Sequence, residues 1–207
     1  MEPTDRVRGR WAGVAPDDRR AERRALLLEA ALELLGTEGF AGTTVRAVCQ
    51  SAGLNPRYFY ESFDDLDALV IGLYDHLLDE LREAAAEAVA VAGGTPEDAV
   101  RATVESIVRF VDEDRRRGRV LYHEALGNEA LNRHRIERGF AIADLLAADR
   151  PDRVHQVSAA LVVGGFSELL MGWLDGRITV SRKRLVDDTS ALFLAIGAAA
   201  DRIATER

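Results

Sequence analysis

The chain has 207 residues, of which 47% are hydrophobic and 30% are charged, a composition that allows one large or two modest domains with a real core. Its single cysteine, Cys49, excludes an internal disulfide framework and fits a reducing cytosol. Charged residues interrupt the apolar runs, and no apolar stretch follows Arg6, Arg8 and Arg10. We therefore expect a cytoplasmic protein with neither a membrane span nor a secretory signal.

The net charge of −8 argues at first against a nucleic-acid partner, but the charge is unevenly distributed. Residues 1–63 hold 9 Lys and Arg against 9 Asp and Glu, a net charge of 0. The remaining 18 Lys and Arg and 26 Asp and Glu lie in residues 64–207, which therefore carry the whole net charge of −8. The N-terminal part therefore has to be judged on its own as a nucleic-acid-binding segment.

The first predicted elements are helices, because strong helix formers dominate and no run has the alternation of a β-strand. After Pro16, leucines at helical spacing predict a first helix that Gly36 and Gly39 stop. Thr44 is placed to cap a second helix, and Gly53 to end it.

Later helices are predicted from caps and periodicity. Asn55-Pro56 has the form of an N-cap followed by proline at the first helical position, and it predicts a very short third helix. Leucines on one face predict a long helix from about residue 65 to residue 91. Thr95-Pro96 predicts the next helix start. Further helices are predicted over residues 96–112, 115–126, 128–148, 152–175 and 183–205. The expected fold class is all-α, with about nine helices.

The second and third helices, joined by a tight turn that contains glycine, have the layout of a helix-turn-helix, whose second helix enters the major groove of DNA. Apolar residues of the motif are expected to pack inward: Val45, Val48, Leu54 and Phe59. The residues expected to contact DNA are Thr44, Arg46, Asn55, Pro56, Arg57, Tyr58 and Tyr60. Arg57 is suited to a bidentate pair with guanine, Asn55 to adenine, and the hydroxyl of Tyr60 to a phosphate.

The stretch GTEGFAGTTVRAVCQSAGLNPRYFYESFDDLDALV, residues 36–70, resembles the tetracycline-repressor (TetR) family of bacterial transcription regulators. The resemblance lies in Gly39-Phe40, Thr44-Val45, Ala52-Gly53-Leu54, Tyr60-x-x-Phe63 and Leu69. It implies a three-helix DNA-binding head over residues 19–63 and a ligand-binding and dimerisation body over residues 64–207. It also implies that the protein is a homodimeric repressor of a palindromic operator, released by a small molecule that shifts the long fourth helix.

One departure concerns the start of the fourth helix, where the family usually has a lysine that contacts a DNA phosphate. This chain has Leu66 at that position, and acidic residues surround it: Asp64, Asp65 and Asp67. Acidic groups weaken phosphate contacts but suit a helix N-terminus. The arm over residues 1–18, with its three arginines, either enters the minor groove or remains a solvated tail.

The resemblance also implies a ligand pocket and a dimer interface in the body. Aromatic and polar residues of its helices are candidates to line the pocket: Phe110, Tyr122, His123, Phe140, Phe166, Met171 and Trp173. His123 and Glu124 are adjacent on a helix and should point about 100° apart. Apolar stripes on helices 152–175 and 183–205, with Gly164 and Gly165 allowing close approach, could be buried within one chain or in an intermolecular four-helix bundle. The two-fold symmetry of a palindromic operator favours the bundle.

Other classes of function stay open beside the repressor. The protein could be a ligand-dependent activator, or a helical small-molecule binder whose head has lost its DNA affinity. An enzyme is not expected, because the sequence holds no Glu-x-x-His or His-Glu-x-x-His motif and no phosphate-binding glycine loop, and its four histidines are scattered. No cofactor and no metal site are predicted.

Overall fold

The fold is described from a computed structural model, which describes residues 16–206. In this part of the chain every regular element is a helix, so the predicted all-α class is confirmed. The nine α-helices are α1 (Pro16–Gly42), α2 (Val45–Ala52), α3 (Pro56–Tyr60), α4 (Leu66–Ala90), α5 (Pro96–Glu113), α6 (Arg115–Gly118), α7 (Glu129–Leu146), α8 (Arg153–Leu174) and α9 (Arg182–Thr205). The predicted N-terminal arm lies almost wholly outside the described residues.

The chain divides into two compact units, one ending at His76 and the other beginning at Leu77. Helix α4 contributes residues to both. The first unit contains α1, α2 and α3, with α2 and α3 both packed on α1. Its core is formed by leucines and small residues of α1 that recur at helical spacing, including Leu27, Ala31 and Leu35, and by side chains from the helices that cover them.

Helix α1 contains an internal break. The prediction that Gly36 stops this helix is wrong, since the helix runs through that position. The break lies at Gly39, whose φ of 74° and ψ of −179° are almost exclusive to glycine. The hydroxyl of Thr43 donates to the Gly39 carbonyl at 2.9 Å and fixes the chain after the break.

In the second unit, α5 packs against α9, α7 against α8, and α8 against α9. The start of α5 is a capping box, as Thr95 and Pro96 predict. The Thr95 hydroxyl accepts from the Asp98 N–H at 3.1 Å, and the Asp98 carboxylate accepts from the Thr95 N–H at 3.4 Å. Buried Val104, Val108 and Val111 form the face that α5 turns to the core.

The segment predicted as one helix over residues 115–126 is divided into three kinds of helix. The α-helical turn α6 is followed by a π-helical turn, Arg119–His123, and a 3₁₀ turn, Glu124–Gly127. At Gly118 an added Cβ would lie 2.4 Å from Cδ1 of Leu174, so a larger residue here would require the Leu174 side chain at the end of α8 to move. The expectation of a uniform α-helix is therefore wrong beyond Gly118, because packing against α8 overrides local helix propensity.

Helix α8 is the only helix within residues 16–206 that has the length and apolar content of a membrane span. It packs against both α7 and α9 through residues such as Ala159, Phe166 and Leu170. Its opposite side, which carries Val157 and Leu161, is exposed. The helix therefore has one apolar face within the unit and a second apolar face without a cover in the single chain.

Candidate DNA-binding interface

The first helix of the motif, α2, is closed at both ends by the residues that the sequence indicates. The Thr44 hydroxyl accepts a hydrogen bond from the Ala47 N–H at 3.1 Å. At the other end Gly53 adopts a left-handed conformation with φ of 64°. The Leu54 N–H donates to the carbonyl of Cys49 at 2.9 Å and satisfies a terminal acceptor of the helix. Burial raises the pKa of the Cys49 thiol, which favours an unreactive core residue.

The second helix, α3, has only five residues and depends on its caps and its core contacts. The side chain of Asn55 accepts from the Arg57 N–H at 3.0 Å, and Pro56 occupies the first turn. Phe59 is fully buried, with its ring centroid 5.3 Å from that of Tyr60 and 5.8 Å from that of Phe63. These contacts fix the direction of the helix and, with it, the exposed side that faces away from the core.

The expected inward residues lie inside, with Val48, Leu54 and Phe59 buried and Val45 half-buried. Most of the predicted DNA-contacting residues are exposed: Thr44, Arg46, Asn55, Pro56, Arg57 and Tyr60. The side chain of Arg57 is 83% exposed, and Tyr60 is 60% exposed. These six residues form an outer surface of the motif with two arginines, an amide and the ring of Tyr60.

Tyr58 differs from the other members of the predicted set because it is half-buried. The guanidinium of Arg23, on α1, lies over its ring, 4.5 Å from the ring centroid. A cation in this position is attracted by the electron-rich face of the ring. Tyr58 therefore helps to join α3 to α1, and one face of its ring is covered from within the chain.

Glu61, directly after α3, connects three arginines, and it is not among the site residues predicted from the sequence. Its carboxylate lies 3.1 Å from Nη2 of Arg23 and 3.3 Å from Nε of Arg57. Its backbone carbonyl accepts a hydrogen bond from Arg20. The spacing of four between Arg57 and Glu61 is a sequence signal for that pair. Arg23 is 38 residues away from Glu61, and no local pattern links them.

The acidic start of α4 has a structural explanation. The Asp65 carboxylate accepts from the Ala68 N–H at 2.8 Å and caps the helix. Just before it, the guanidinium of Arg24 lies 4.4 Å from the ring centroid of buried Phe63. Leu66, which stands where the family usually has lysine, is half-buried. At least one acidic residue of this segment is therefore required by the helix itself.

The candidate pocket residues of the body make separate contacts. The Phe110 ring lies 4.3 Å from the guanidinium of Arg117, and the Phe166 ring lies 5.3 Å from that of Phe193. Phe140 is 61% exposed, so in the single chain it does not line an enclosed cavity.

The polar candidates of the body also bind residues outside the predicted set. Nε2 of His123 lies 2.8 Å from Asp175, and Nε1 of Trp173 donates to the Val180 carbonyl at 3.0 Å. Tyr122 is half-buried. Glu124 binds Arg119 at 2.9 Å, so the adjacent His123 and Glu124 have different partners, as their helical spacing predicts. Within residues 16–206 no group of His, Cys, Asp and Glu is arranged to hold a metal ion.

The capped helices, the buried aromatic anchor and the exposed basic surface have the arrangement of a DNA-binding helix-turn-helix. Residues 27–73 match the family model described as "Bacterial regulatory proteins, tetR family". The predicted resemblance to this family is therefore confirmed, and the matched segment contains α2, α3 and the outer surface described above.

Solved structures of several proteins share the fold over most of the chain. A transcriptional regulator from Pseudomonas aeruginosa PAO1 has a TM-score of 0.71 and 21% identity, covering 93% of this chain and 97% of its own. A TetR family regulator from Marinobacter aquaeolei VT8 has a TM-score of 0.58 and 20% identity, covering 89% and 97%. The multidrug binding protein EbrR, complexed with imidazole, has a TM-score of 0.63 and 20% identity, covering 82% and 94%. The chain thus has the fold of a TetR-family transcriptional regulator.

Proposed function

We propose that the protein is a cytoplasmic, homodimeric transcriptional repressor that binds a palindromic operator and is released by a small molecule. The observation that carries this proposal is the exposed side of α3, which presents Arg57 and Tyr60 on a helix that is anchored by Phe59. A short helix so firmly held is suited to enter a major groove as a rigid element. The proposal assigns no catalytic residue and no cofactor to the chain.

The DNA contacts follow from the chemistry of the exposed surface. Arg57 pairs with guanine, while Arg46, Thr44 and Tyr60 contact the phosphate backbone and fix the register of the motif. Asn55 and Pro56 lie at the N-terminal end of α3, which meets the base edges. Arginines in the first turns of α1 and in the segment before this helix add further positive charge that can attract the phosphate backbone.

The dimer is proposed through α8 and α9. The exposed face of α8 carries Val157, Leu161, Gly164 and Gly165, and Leu192 is exposed on α9. Large exposed apolar residues beside small ones allow two helix pairs to approach closely and bury both faces. In such a dimer the two recognition helices are about 34–36 Å apart, one turn of DNA.

The effector is proposed to bind in the body. EbrR, whose fold this chain shares, is a multidrug binding protein, and the candidate ligand-binding residues of this body include half-buried Tyr122, His123 and Trp173 and also buried Phe166. An effector that prefers a conformation unable to bind DNA weakens operator binding by about 1–3 kcal/mol, and the operator weakens effector binding by the same factor.

The test is a selection of bound sequences from a random duplex pool at near-physiological salt. We expect enrichment of a palindrome by the wild type and none by the Arg46→Ala/Arg57→Ala double variant, whose buried core is unchanged. A small-molecule screen for release of the selected duplex follows directly.

A negative result has a defined meaning in this experiment. Failure of folded, dimeric wild-type protein to enrich any sequence contradicts the repressor. It favours the helical small-molecule binder, for which the absence of a cation at Leu66 is the supporting observation. Stimulation of transcription from the selected operator in a reporter assay would instead support the activator.

A further inference from the structure

We infer that Glu61 is a positioning residue for base recognition, which holds the guanidinium of Arg57 in the orientation that meets guanine. This inference rests on the proposed function, because it requires Arg57 to contact DNA. It adds a residue that touches no base to the set that determines sequence preference.

The geometry gives each oxygen of the Glu61 carboxylate its own guanidinium. Oε2 lies 3.1 Å from Nη2 of Arg23, and Oε1 lies 3.3 Å from Nε of Arg57. The side chain of Arg23 is only 13% exposed, so this partner is held firmly on α1. The side chain of Arg57 is 83% exposed and has freedom to move. Glu61 therefore connects an anchored arginine to a mobile one.

The chemistry of arginine explains why the contact through Nε matters. The guanidinium is planar and carries five N–H donors in a fixed arrangement. An ion pair between Nε and Glu61 restricts the orientation of the guanidinium plane and leaves the two terminal amino groups to face DNA. Those two groups can donate in parallel to O6 and N7 of guanine. An arginine oriented before binding loses less side-chain entropy when it binds.

Further contacts hold Glu61 in place from the side of α1. Arg20 donates to the Glu61 carbonyl, and Arg23 also lies over the ring of Tyr58, 4.5 Å from its centroid. The position of the carboxylate is thus set by α1 and by the covered face of Tyr58. A role limited to tying α3 to α1 is the alternative, and it predicts a different result from the experiment below.

The experiment compares wild type and Glu61→Gln by sequencing the bound fraction of a duplex library that varies every operator position. We expect Glu61→Gln to lower the preference for guanine about two- to fivefold at the symmetric pair of positions that Arg57 contacts, the size expected for an exposed ion pair. The preference at the other positions should stay that of the wild type. Circular dichroism of each variant checks that it is folded.

Two controls make the result specific. Asp64→Asn removes one negative charge three residues away, so it should raise the affinity for all sequences alike and leave the base preference unchanged. In the Arg57→Ala background, Glu61→Gln should have no further effect on base preference, because the group that it positions is gone.

The outcomes separate this inference from the proposed function. If Glu61→Gln changes the affinity for all sequences equally, or changes the guanine preference as much with Arg57→Ala as without it, the positioning role is overturned and the tie between α3 and α1 is supported. If the wild type enriches no sequence, the proposed function fails and this inference fails with it.

Discussion

Helices α3 and α8 differ in opposite directions in the amount of apolar surface that each presents. Helix α3 has five residues and buries one large ring, Phe59, while its outer side is polar, aromatic and exposed. Helix α8 has 22 residues, buries Phe166 and Leu170 on one side, and exposes apolar Leu161 on the other. The first helix requires the rest of its unit for stability, whereas the second has more apolar surface than its own unit covers.

This difference relates to what each helix has to bind. A helix that contacts DNA needs a polar outer side, so its stability has to come from caps and from a few buried contacts. A helix that forms a subunit interface keeps an apolar outer side, and its stability is completed by a second copy of the chain. The two proposals on DNA binding and dimerisation can therefore be tested by substitutions that separate the two sources of stability.

The largest effect is expected for Phe59→Ala. Loss of a fully buried phenyl ring should reduce the free energy of unfolding by about 3–5 kcal/mol, because α3 loses its main anchor. Urea denaturation followed by circular dichroism measures this value. Tyr60→Phe is the matched control, since its ring is mostly exposed and its effect should stay within about 0.5 kcal/mol. Equal effects of the two substitutions would contradict the dependence of α3 on its core contact.

The next effect concerns the apolar outer side of α8. Leu161→Glu should weaken the dimer by roughly 100-fold, about 3 kcal/mol, because a two-fold interface buries the new charge twice. Sedimentation velocity over a concentration series measures the shift to monomer. Val91→Glu adds the same charge at a highly exposed residue between α4 and α5 and should leave the dimer intact. A dimer of unchanged affinity in Leu161→Glu would place the interface elsewhere.

The exposed side of α3 is tested by Arg57→Ala. If Arg57 pairs with guanine, the substitution should cost about 1–3 kcal/mol of binding free energy for the operator and relax the preference at one position of each half-site. Tyr60→Phe should instead weaken all sequences about equally, since a phosphate contact carries no base information. Quantitative binding to operator variants distinguishes the two. An unchanged base preference in Arg57→Ala would remove this residue from direct recognition.

The smallest effect concerns an ion-pair cluster that joins the start of α8 to the end of α9. His155 lies between two carboxylates, with Nδ1 2.5 Å from Asp152 and Nε2 3.0 Å from Asp201, which also binds Arg150. Hydrogen bonds to Asp201 and Asp152 raise the pKa of His155 above its ordinary value of 6.5. The pKa values of both carboxyls are lowered, chiefly by the hydrogen bond to His155.

The directions of these pKa shifts define the pH range in which the cluster stabilises the fold. The raised pKa of the histidine stabilises the fold fully below about pH 6.5, and this contribution is lost as the pH rises through the higher pKa of the folded state. The carboxylates contribute above about pH 3.8, and their contribution is lost as the pH falls further. His155→Gln should therefore be most destabilising between these limits and less so at pH 9. The same dependence is expected in the monomeric Leu161→Glu background, because the cluster lies within one chain.

Local chemistry accounts for the parts of the fold that the sequence predicts well. Caps such as Thr44, Asn55 and Thr95 act within three residues, so they can be recognised without tertiary structure. Gly53 is recognisable for the same reason. At Gly36 the prediction is wrong, because one glycine in a helix interior costs only about 1 kcal/mol, and the buried leucines of α1 offset that cost.

The site is less predictable because its members come together from distant parts of the chain. The exposure of Arg57 and Tyr60 follows from helical periodicity. The covering of Tyr58 by Arg23, and the joining of Arg23 to Glu61, depend on the way α1 packs on α3. In the body, the aromatic residues of the predicted pocket could be named but not placed, and Phe140 proves exposed.

The N-cap of α3 has a consequence for the DNA sequence that this protein selects. The Asn55 carbonyl oxygen faces the Arg57 N–H, so in this conformation the side chain offers DNA mainly its two amide donors. Selective pairing with adenine uses both the donor and the acceptor of an asparagine, whereas donors alone fit N7 of either purine, O6 of guanine and O4 of thymine. We therefore expect Asn55 to disfavour cytosine, whose major-groove edge presents a donor, without choosing among the other three bases. Asn55→Asp, which keeps the cap and removes the donors, should abolish that distinction in the selected sequences.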